Sequence, residues 1–214
     1  VCRNSTGNTY NTELGMTSYL WTVGSGGVIT AGGTGFDYVT VTWTTVGART
    51  VTVNYTNLNN CTAASATVYN VTVNPLPTPT ISGSGVECET ASGVVYTTEA
   101  AMTSYIWTVS SGGTITAGGT ATDNTVTVTW NTAGAQSVTV NYTNVAGCTA
   151  ATATVKPVTV NALPVPTITG NAAACVTYPG NIYTTEGGMT NYICVVTGGT
   201  VTAGGTATDN TVTV

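Results

Sequence analysis

The chain is poor in the side chains that most enzymes and nucleic-acid-binding proteins need. Its 214 residues include no histidine, one lysine and two arginines, and only 5% are charged. Without imidazole groups and with one amine, most acid–base, Schiff-base and histidine–metal chemistry lacks its reagents. Three basic side chains are too few for the phosphate contacts that hold nucleic acids. We therefore expect no catalytic residue, cofactor, metal or nucleic-acid partner.

The chain also lacks a long hydrophobic run, yet it has enough apolar residues to fold. No apolar stretch approaches the roughly 20 residues of a membrane-spanning helix, so we expect no membrane span in this segment. Hydrophobic residues make up 42% of the sequence, with 11 tyrosines and four tryptophans. A chain of this composition can bury real cores and is not expected to be disordered.

The sequence repeats itself with a period of about 87 residues, the size of a small domain. Cys2, Cys88 and Cys175 lie 86 and 87 residues apart, and Trp43 and Trp130 are 87 apart. A period of this length exceeds that of solenoid repeats and predicts a tandem array of independent modules.

Two proline-rich strings, at residues 74–81 and 161–168, separate the modules. Spaced prolines favour an extended, stiff linker. We predict three modules, at residues 1–77, 78–164 and 165–214. We expect the first to lack its leading proline string and the third to lack its last strands, as in a segment of a longer array.

Within each module the hydrophobic residues alternate with threonine, which predicts strands with one buried face. Val39, Val41 and Trp43 show this pattern, and glycine pairs supply turns between such runs. Six or seven short strands per module predict an all-β fold of tandem immunoglobulin-like antiparallel sandwiches. Pro157 marks the last strand of the second module as an edge or a bulge. The core tryptophans are expected to be Trp21, Trp43, Trp107 and Trp130.

The cysteines are spaced as disulfide partners rather than as metal ligands. A second cysteine follows the first by 59 and 60 residues in the two complete modules, with no CxxC pair. We expect bonds within modules, Cys2–Cys61 and Cys88–Cys148, and hence an oxidising compartment outside the cytoplasm. Free buried thiols at matching positions are the alternative.

Cys175 and Cys194 remain without an assigned pairing. We expect the partner of Cys175 to lie beyond the chain end, or else to be Cys194, which stands where Trp21 and Trp107 stand in the other modules. A substitution that leaves a free thiol, a Cys175–Cys194 bond and an error in the sequence all stay open for Cys194.

The second module carries a set of distinctive motifs, which are YTTE, MTSYIWTV, GGTITAGG, VTVTW and GC, at residues 96–99, 102–109, 112–119, 126–130 and 147–148. These motifs resemble the PKD-like, immunoglobulin-fold repeats of large secreted surface proteins of Bacteroidota. The resemblance covers nearly the whole chain and implies a β-sandwich, an extracellular site and no catalysis. Such repeats form stalks of adhesins, including gliding-type adhesins exported through the type IX pathway. Better-known PKD modules carry an acidic WDFGDG-type turn where this chain has WTVGSGG, so functions of that turn are not carried over.

Two kinds of binding site, for calcium and for carbohydrate, have candidate residues in this chain. Calcium needs about six to eight oxygen ligands, and Glu87, Glu89 and Asp123 supply few, so we expect Asp123 to form a turn. The tyrosines with the least regular pattern are candidates to bind carbohydrate, although framework packing is favoured; they are Tyr10, Tyr38, Tyr69 and Tyr178.

Repetition without catalytic chemistry predicts a non-enzymatic extracellular structural protein. We expect a stalk or filament segment of a bacterial cell-surface adhesin or fibre, whose partners are like modules of the same chain or fibre. The alternatives are an adhesive module that binds a surface glycan or a host protein, and a spacer of a secreted enzyme.

Overall fold

The fold is all-β, as predicted. The computed structural model describes every residue from Val1 to Val214, and its regular elements are sixteen strands with no helix. It therefore has no helix long and apolar enough to cross a membrane. The chain divides into two compact units, Val1–Ala162 and Leu163–Val214. The first unit holds the two complete modules, while the module bounds at residues 77 and 164 stay predictions.

The first module is built from two three-stranded antiparallel sheets. One sheet has the order β1-β4-β3 and the other β2-β5-β6. The alternation of valine with threonine forms these strands, because valine fills the buried face and threonine the outer one. The strands are β1 (Asn8–Asn11), β2 (Thr17–Val23), β3 (Gly27–Gly32), β4 (Tyr38–Trp43), β5 (Gly47–Thr56) and β6 (Thr67–Val73).

The second module repeats this arrangement and adds one short strand. Its sheets have the orders β10-β11-β8 and β7-β13-β12-β9. The strands are β7 (Val86–Cys88), β8 (Val94–Thr97), β9 (Thr103–Val109), β10 (Gly113–Gly118), β11 (Thr125–Trp130), β12 (Gly134–Thr143) and β13 (Thr154–Asn161). Strand β7 pairs in parallel with the end of β13, a departure from the antiparallel expectation.

Pro157 lies in the part of β13 that has a neighbour on one side only. It stands opposite Ser137 of β12, whereas β7 joins β13 only from Thr159 onward. A proline cannot donate a ladder hydrogen bond, so this free edge is where a strand tolerates it.

The second unit, Leu163–Val214, contains one small sheet of order β14-β16-β15. Its strands are β14 (Ile182–Thr184), β15 (Ala203–Gly204) and β16 (Thr211–Thr213). The residues around Cys194 form no strand. The matching segment of the first module is β2, which pairs with β5. Residues 163–214 contain no equivalent of β5.

Each complete module has its own hydrophobic core. Trp43 and Trp130 are fully buried at the ends of β4 and β11, and Trp21 and Trp107 are 7% and 8% exposed. Each core also takes the inward valines of three strands, which are β4, β5 and β6 in the first module and β11, β12 and β13 in the second. The two cores are separate, so each module can bury its own apolar surface.

The structure corrects the predicted disulfides: Cys2 bonds to Cys148, and the bonds Cys2–Cys61 and Cys88–Cys148 are absent. Cys2 lies beside Asn74, next to the Gly47 end of β5, whereas Cys61 follows the opposite end. A ten-residue strand spans roughly 30 Å, and disulfide-bonded Cα atoms lie within about 7 Å of each other. The fold therefore keeps the two cysteines of one module apart.

The cysteines of the second unit are also unpaired. Cys175 is exposed and Cys194 is half-buried, so the Cys175–Cys194 alternative is not formed in this structure. A partner for Cys175 beyond the chain end stays a prediction.

Candidate functional site: the junction between the first two modules

The proline-rich linker is held by side chains of the second module. The side-chain amide of Asn144 donates a hydrogen bond to the Pro75 carbonyl at 3.2 Å. The Thr154 hydroxyl donates to the Pro79 carbonyl, four residues further along. Asn144 directly follows β12, and Thr154 is the first residue of β13. The linker is thus fixed to the module that follows it at two points.

The linker is also fixed to the module that precedes it. The Arg3 amide donates to the Asn74 carbonyl, and the Asn74 amide donates to the Val1 carbonyl, each at 2.9 Å. These bonds place Cys2 beside the residue that leads into the linker. The start and the exit of the first module therefore lie together at the junction.

The disulfide between Cys2 and Cys148 joins the two sides of the junction, with 5.5 Å between the Cα atoms. Cys148 sits in a tight corner: its amide donates to the side-chain oxygen of Asn144 at 3.0 Å, and its carbonyl accepts from the Asn144 amide at 2.9 Å. The same Asn144 side chain reaches the linker. One asparagine thus orients both the bonded cysteine and the linker.

Glu99 anchors the residue that follows the last linker proline. Its carboxylate accepts hydrogen bonds from the Thr80 amide at 3.1 Å, the Thr80 hydroxyl at 2.6 Å and the Thr98 hydroxyl at 2.7 Å. Burial opposes ionisation of this group, but the hydrogen bonds outweigh burial and lower the pKa of Glu99 to about 2. We call Glu99 and Thr80 the glutamate clasp.

A tyrosine of strand β12 completes the clasp. The Tyr142 hydroxyl donates to the Glu99 carboxylate at 3.0 Å. Burial, together with this hydrogen bond to a negative charge, raises the pKa of Tyr142 to about 12. The phenol therefore stays a neutral donor over the range in which Glu99 is ionised.

The same clasp recurs in the second unit. Glu186 accepts from the Thr167 amide at 3.0 Å and from the Thr185 hydroxyl at 2.6 Å. Hydrogen bonds from Thr167 and Thr185 lower the pKa of Glu186 to about 2. Thr167 follows Pro166 as Thr80 follows Pro79, so the clasp belongs to the repeat and not to one junction.

An open cleft of about 350 Å³ lies along the linker, with Arg3, Leu76 and Thr152 among its lining residues. Its only ionisable side chain is the guanidinium of Arg3, which offers no acid–base pair. The junction is suited to holding two modules in a fixed relation.

A comparison with protein families decides the class of module. The PKD-like domain family matches residues 1–71 and again residues 74–156. The chain belongs to the PKD-like domain family. The first match ends within β6 and the second within β13, so each takes in most of one complete module. No curated protein sequence matches the chain.

Three solved structures are examples of the weak likeness that other proteins have to these PKD-like modules. Domains 4 and 5 of the S-layer protein SbsC are 18% identical, with 70% of this chain and 74% of that one covered and a TM-score of 0.29. The fibronectin(III)-like modules of CbhA from Clostridium thermocellum are 12% identical, covering 75% and 89%, with a TM-score of 0.35. Invasin, a bacterial integrin-binding protein, is 22% identical, covering 82% and 40%, with a TM-score of 0.32.

The residues considered for calcium have local roles in the PKD-like modules. The Asp123 carboxylate accepts from the amide and the hydroxyl of Thr120 within its own turn. Glu87 is part of strand β7, and Glu89 follows that strand. The structure holds no group of three or more metal-ligating side chains.

The tyrosines considered for carbohydrate include one contacting pair, Tyr10 and Tyr69. Tyr10 packs against the first core, and its hydroxyl accepts from the Trp43 indole at 3.0 Å. Tyr69 is 61% exposed and contacts Tyr10, with 5.5 Å between the ring centroids. Tyr38 contacts Phe36, and Tyr178 is exposed in the second unit. Lys156 occupies the position of Tyr69 in the second module, so the Tyr10–Tyr69 pair is not a repeated feature.

Sequence reasoning missed the glutamate clasp and the role of Asn144. A signal was present, because Glu13, Glu99 and Glu186 recur at the module period in a chain with only eight acidic residues. A rare charge that returns at the period of the repeat indicates a repeated structural role. The contact between Asn144 and the linker spans 69 residues, and no local pattern indicates it.

Proposed function

We propose that this chain is a non-enzymatic structural segment of an extracellular stalk or fibre, in which PKD-like modules are held in series at a fixed spacing. The observation that carries the proposal is the junction. The linker is hydrogen-bonded to both modules, and a disulfide joins them. A chain whose task was only to tether two domains would need none of these contacts.

The extracellular location rests on the disulfide and on the surface chemistry. A disulfide persists in oxidising compartments outside the cytoplasm. Three basic residues in 214 also leave few cleavage sites for trypsin-like proteases, which suits an exposed protein. Export through the type IX pathway of a Bacteroidota cell, as in the gliding-type adhesins that the repeats resemble, is part of the proposal.

An adhesive module that binds a glycan or a host protein is the second candidate, and the exposed Tyr69 beside Tyr10 is the feature that favours it. This pair occurs in one module only, whereas an array selected for adhesion would gain avidity from a site in each module. A structural role accounts for more of the repeated residues.

Electron microscopy of the native protein that contains this chain tests the proposal. Immunogold labelling with an antibody against residues 1–162 should decorate thin projections outside the cell. Negative staining of the purified protein should show beads at a constant axial spacing. Label confined to the cytoplasm, or compact particles without a regular repeat, would overturn it. Retention of the purified chain on a glycan array would favour the adhesive alternative.

A further inference from the structure

The cysteines of one module cannot bond to each other in this fold. The leading cysteine of a module (Cys2, Cys88) lies beside the first residue of the linker (Asn74, Asn161), at one end of the long strand pair. The corner cysteine (Cys61, Cys148) follows the opposite end of the same pair. The ten-residue strand β12 separates Cys88 from Cys148 by roughly 30 Å, as β5 separates Cys2 from Cys61. Any disulfide that one of these cysteines forms must therefore be to a cysteine outside its own module.

The corner that presents Cys148 to the junction exists in the same form around Cys61. The Cys61 amide donates to the side-chain oxygen of Asn57 at 3.0 Å, and its carbonyl accepts from the Asn57 amide at 3.0 Å. In the second module Asn144 makes the same two bonds to Cys148. The backbone of the first module thus holds Cys61 in the same local geometry as the bonded Cys148.

The backbone that presents Cys2 is likewise repeated around Cys88. The Arg3 amide donates to Asn74, and the Glu89 amide donates to Asn161, at 2.9 and 2.8 Å. Each leading cysteine therefore lies beside an asparagine that leads into a proline-rich linker. Both halves of the junction are built a second time in the chain.

The bonded and the unbonded cysteines differ in their exposure to solvent. Cys148 is 1% exposed and the neighbouring Ala150 is 7% exposed. Their equivalents Cys61 and Ala63 are exposed, as is Cys88. The corner around Cys61 therefore exposes to solvent the apolar surface that is buried at the junction in the second module. A further module of the same kind could cover this surface.

We propose that Cys2–Cys148 is one rung of a disulfide ladder, in which the leading cysteine of each module bonds to the corner cysteine of the module that follows it. Cys88 and Cys61 are the thiols of the two adjacent rungs. The partner is an adjacent PKD-like module in the array. Each rung forms by thiol–disulfide exchange with a disulfide oxidant such as oxidised glutathione: two protein thiols become one disulfide, and the oxidant leaves as two reduced thiols.

The ladder deepens the proposed structural role, because it would make every junction covalent and not only the first. It is tested by mapping bonds in purified protein, whereas the stalk is tested by microscopy of the native material. Either can therefore fail without the other.

The test adds one module to the chain. A second copy of residues 75–161 is inserted after Asn161, and exposed Val86→Ile and Val145→Ile changes mark the peptides of the copy by mass. Both marked side chains are exposed, at 61% and 83%. The original and the extended chains are oxidised with a glutathione mixture, free thiols are alkylated, and bonded peptides are identified by mass spectrometry.

The original chain should show Cys2–Cys148 alone, with Cys61 and Cys88 fully alkylated. The extended chain should gain a bond from the original Cys88 to the Cys148 of the inserted copy, and Cys88 should lose its reaction with the alkylating agent. Cys88→Ser in the original module should abolish the new bond and leave Cys2–Cys148 intact, which shows that the modules still fold.

Three results would overturn the ladder. The inserted Cys148 could stay fully alkylated, or it could bond to the Cys88 of its own module. The third result is a disulfide between two chains through Cys61 and Cys88, which would assign these thiols to a second copy instead of an adjacent module.

Discussion

At the scale of single residues, the Glu99 carboxylate fixes the start of the second module to the linker. The pKa of Glu99 is lowered from 4.5 to about 2, against the opposing effect of burial, by bonds from Thr80 and Thr98. A folded-state pKa below the unfolded value adds stability above pH 4.5 that is lost as the pH falls toward about 2. Allowing for solvent screening at this half-exposed site, we expect about 1 kcal/mol.

Glu99→Gln should therefore lower the stability of the first unit at pH 7 by about 1 kcal/mol and flatten its decline between pH 4.5 and 2. Thermal unfolding of both proteins across this range measures the difference. Glu13→Gln is the matched control, because Glu13 occupies the same position but accepts hydrogen bonds from Thr12 and Tyr55 and from no linker threonine. Equal pH profiles for wild type and Glu99→Gln would contradict the role of the clasp.

A buried hydrogen bond between two aromatic residues gives a second residue-scale prediction. The Trp130 indole donates to the Tyr96 hydroxyl at 3.2 Å, and both side chains are fully buried. Tyr96→Phe leaves the indole N–H without a partner, which costs about 1–3 kcal/mol. Urea unfolding followed by tryptophan fluorescence should show the loss. Tyr178→Phe, at a side chain that is 70% exposed, should change stability by less than about 0.5 kcal/mol.

At the scale of strands and turns, a glycine sets how closely β10 approaches the core tryptophan. A Cβ on Gly113 would lie 2.7 Å from both the Trp130 ring and the Val109 side chain. Gly27 meets Trp43 and Val23 in the same way in the first module. The repeated Gly-Gly pair therefore makes room for the ring as well as forming a turn.

Gly113→Ala should destabilise the second module by about 1–3 kcal/mol, because the new methyl group overpacks a closed core. Gly85→Ala is the control, since the nearest atom to its added Cβ is the Pro157 carbonyl oxygen at 3.8 Å. Chemical denaturation of both variants measures the effect. A Gly113→Ala protein as stable as Gly85→Ala would show that the tryptophan moves aside without cost.

The sequence predicts the strands better than their partners, and the reason is physical. Alternation of valine and threonine in β4 and β11 reports which face is buried, which is a local property. The parallel pairing of β7 with β13 joins residues about 73 apart in sequence, Val86 with Thr159, and no local pattern encodes it. The prediction of disulfides within modules was wrong for the same reason. The spacing of the cysteines shows the period of the repeat, but it does not show at which end of the strand pair each thiol lies.

At the scale of the whole first unit, the junction is a contact between two modules that fold around separate cores. Closing a loop of 146 residues in an unfolded chain would contribute roughly 5 kcal/mol of entropy. Here each module buries its own core, so we expect the disulfide mainly to restrict the motion of one module relative to the other. Its loss should loosen the junction before it unfolds either module.

Cys2→Ser should therefore speed hydrogen exchange at the junction and leave the cores protected. The Arg3 and Asn74 amides, which bond across the start and exit of the first module, should exchange about tenfold faster, a loss of about 1.4 kcal/mol of local protection. Amides of the buried strands β4 and β11 should be unchanged. Cys61→Ser removes an exposed, unbonded thiol and should change neither set. Faster exchange throughout both cores in Cys2→Ser would instead mean that the disulfide holds the modules folded, and the junction would then be part of the fold rather than a connection between finished modules.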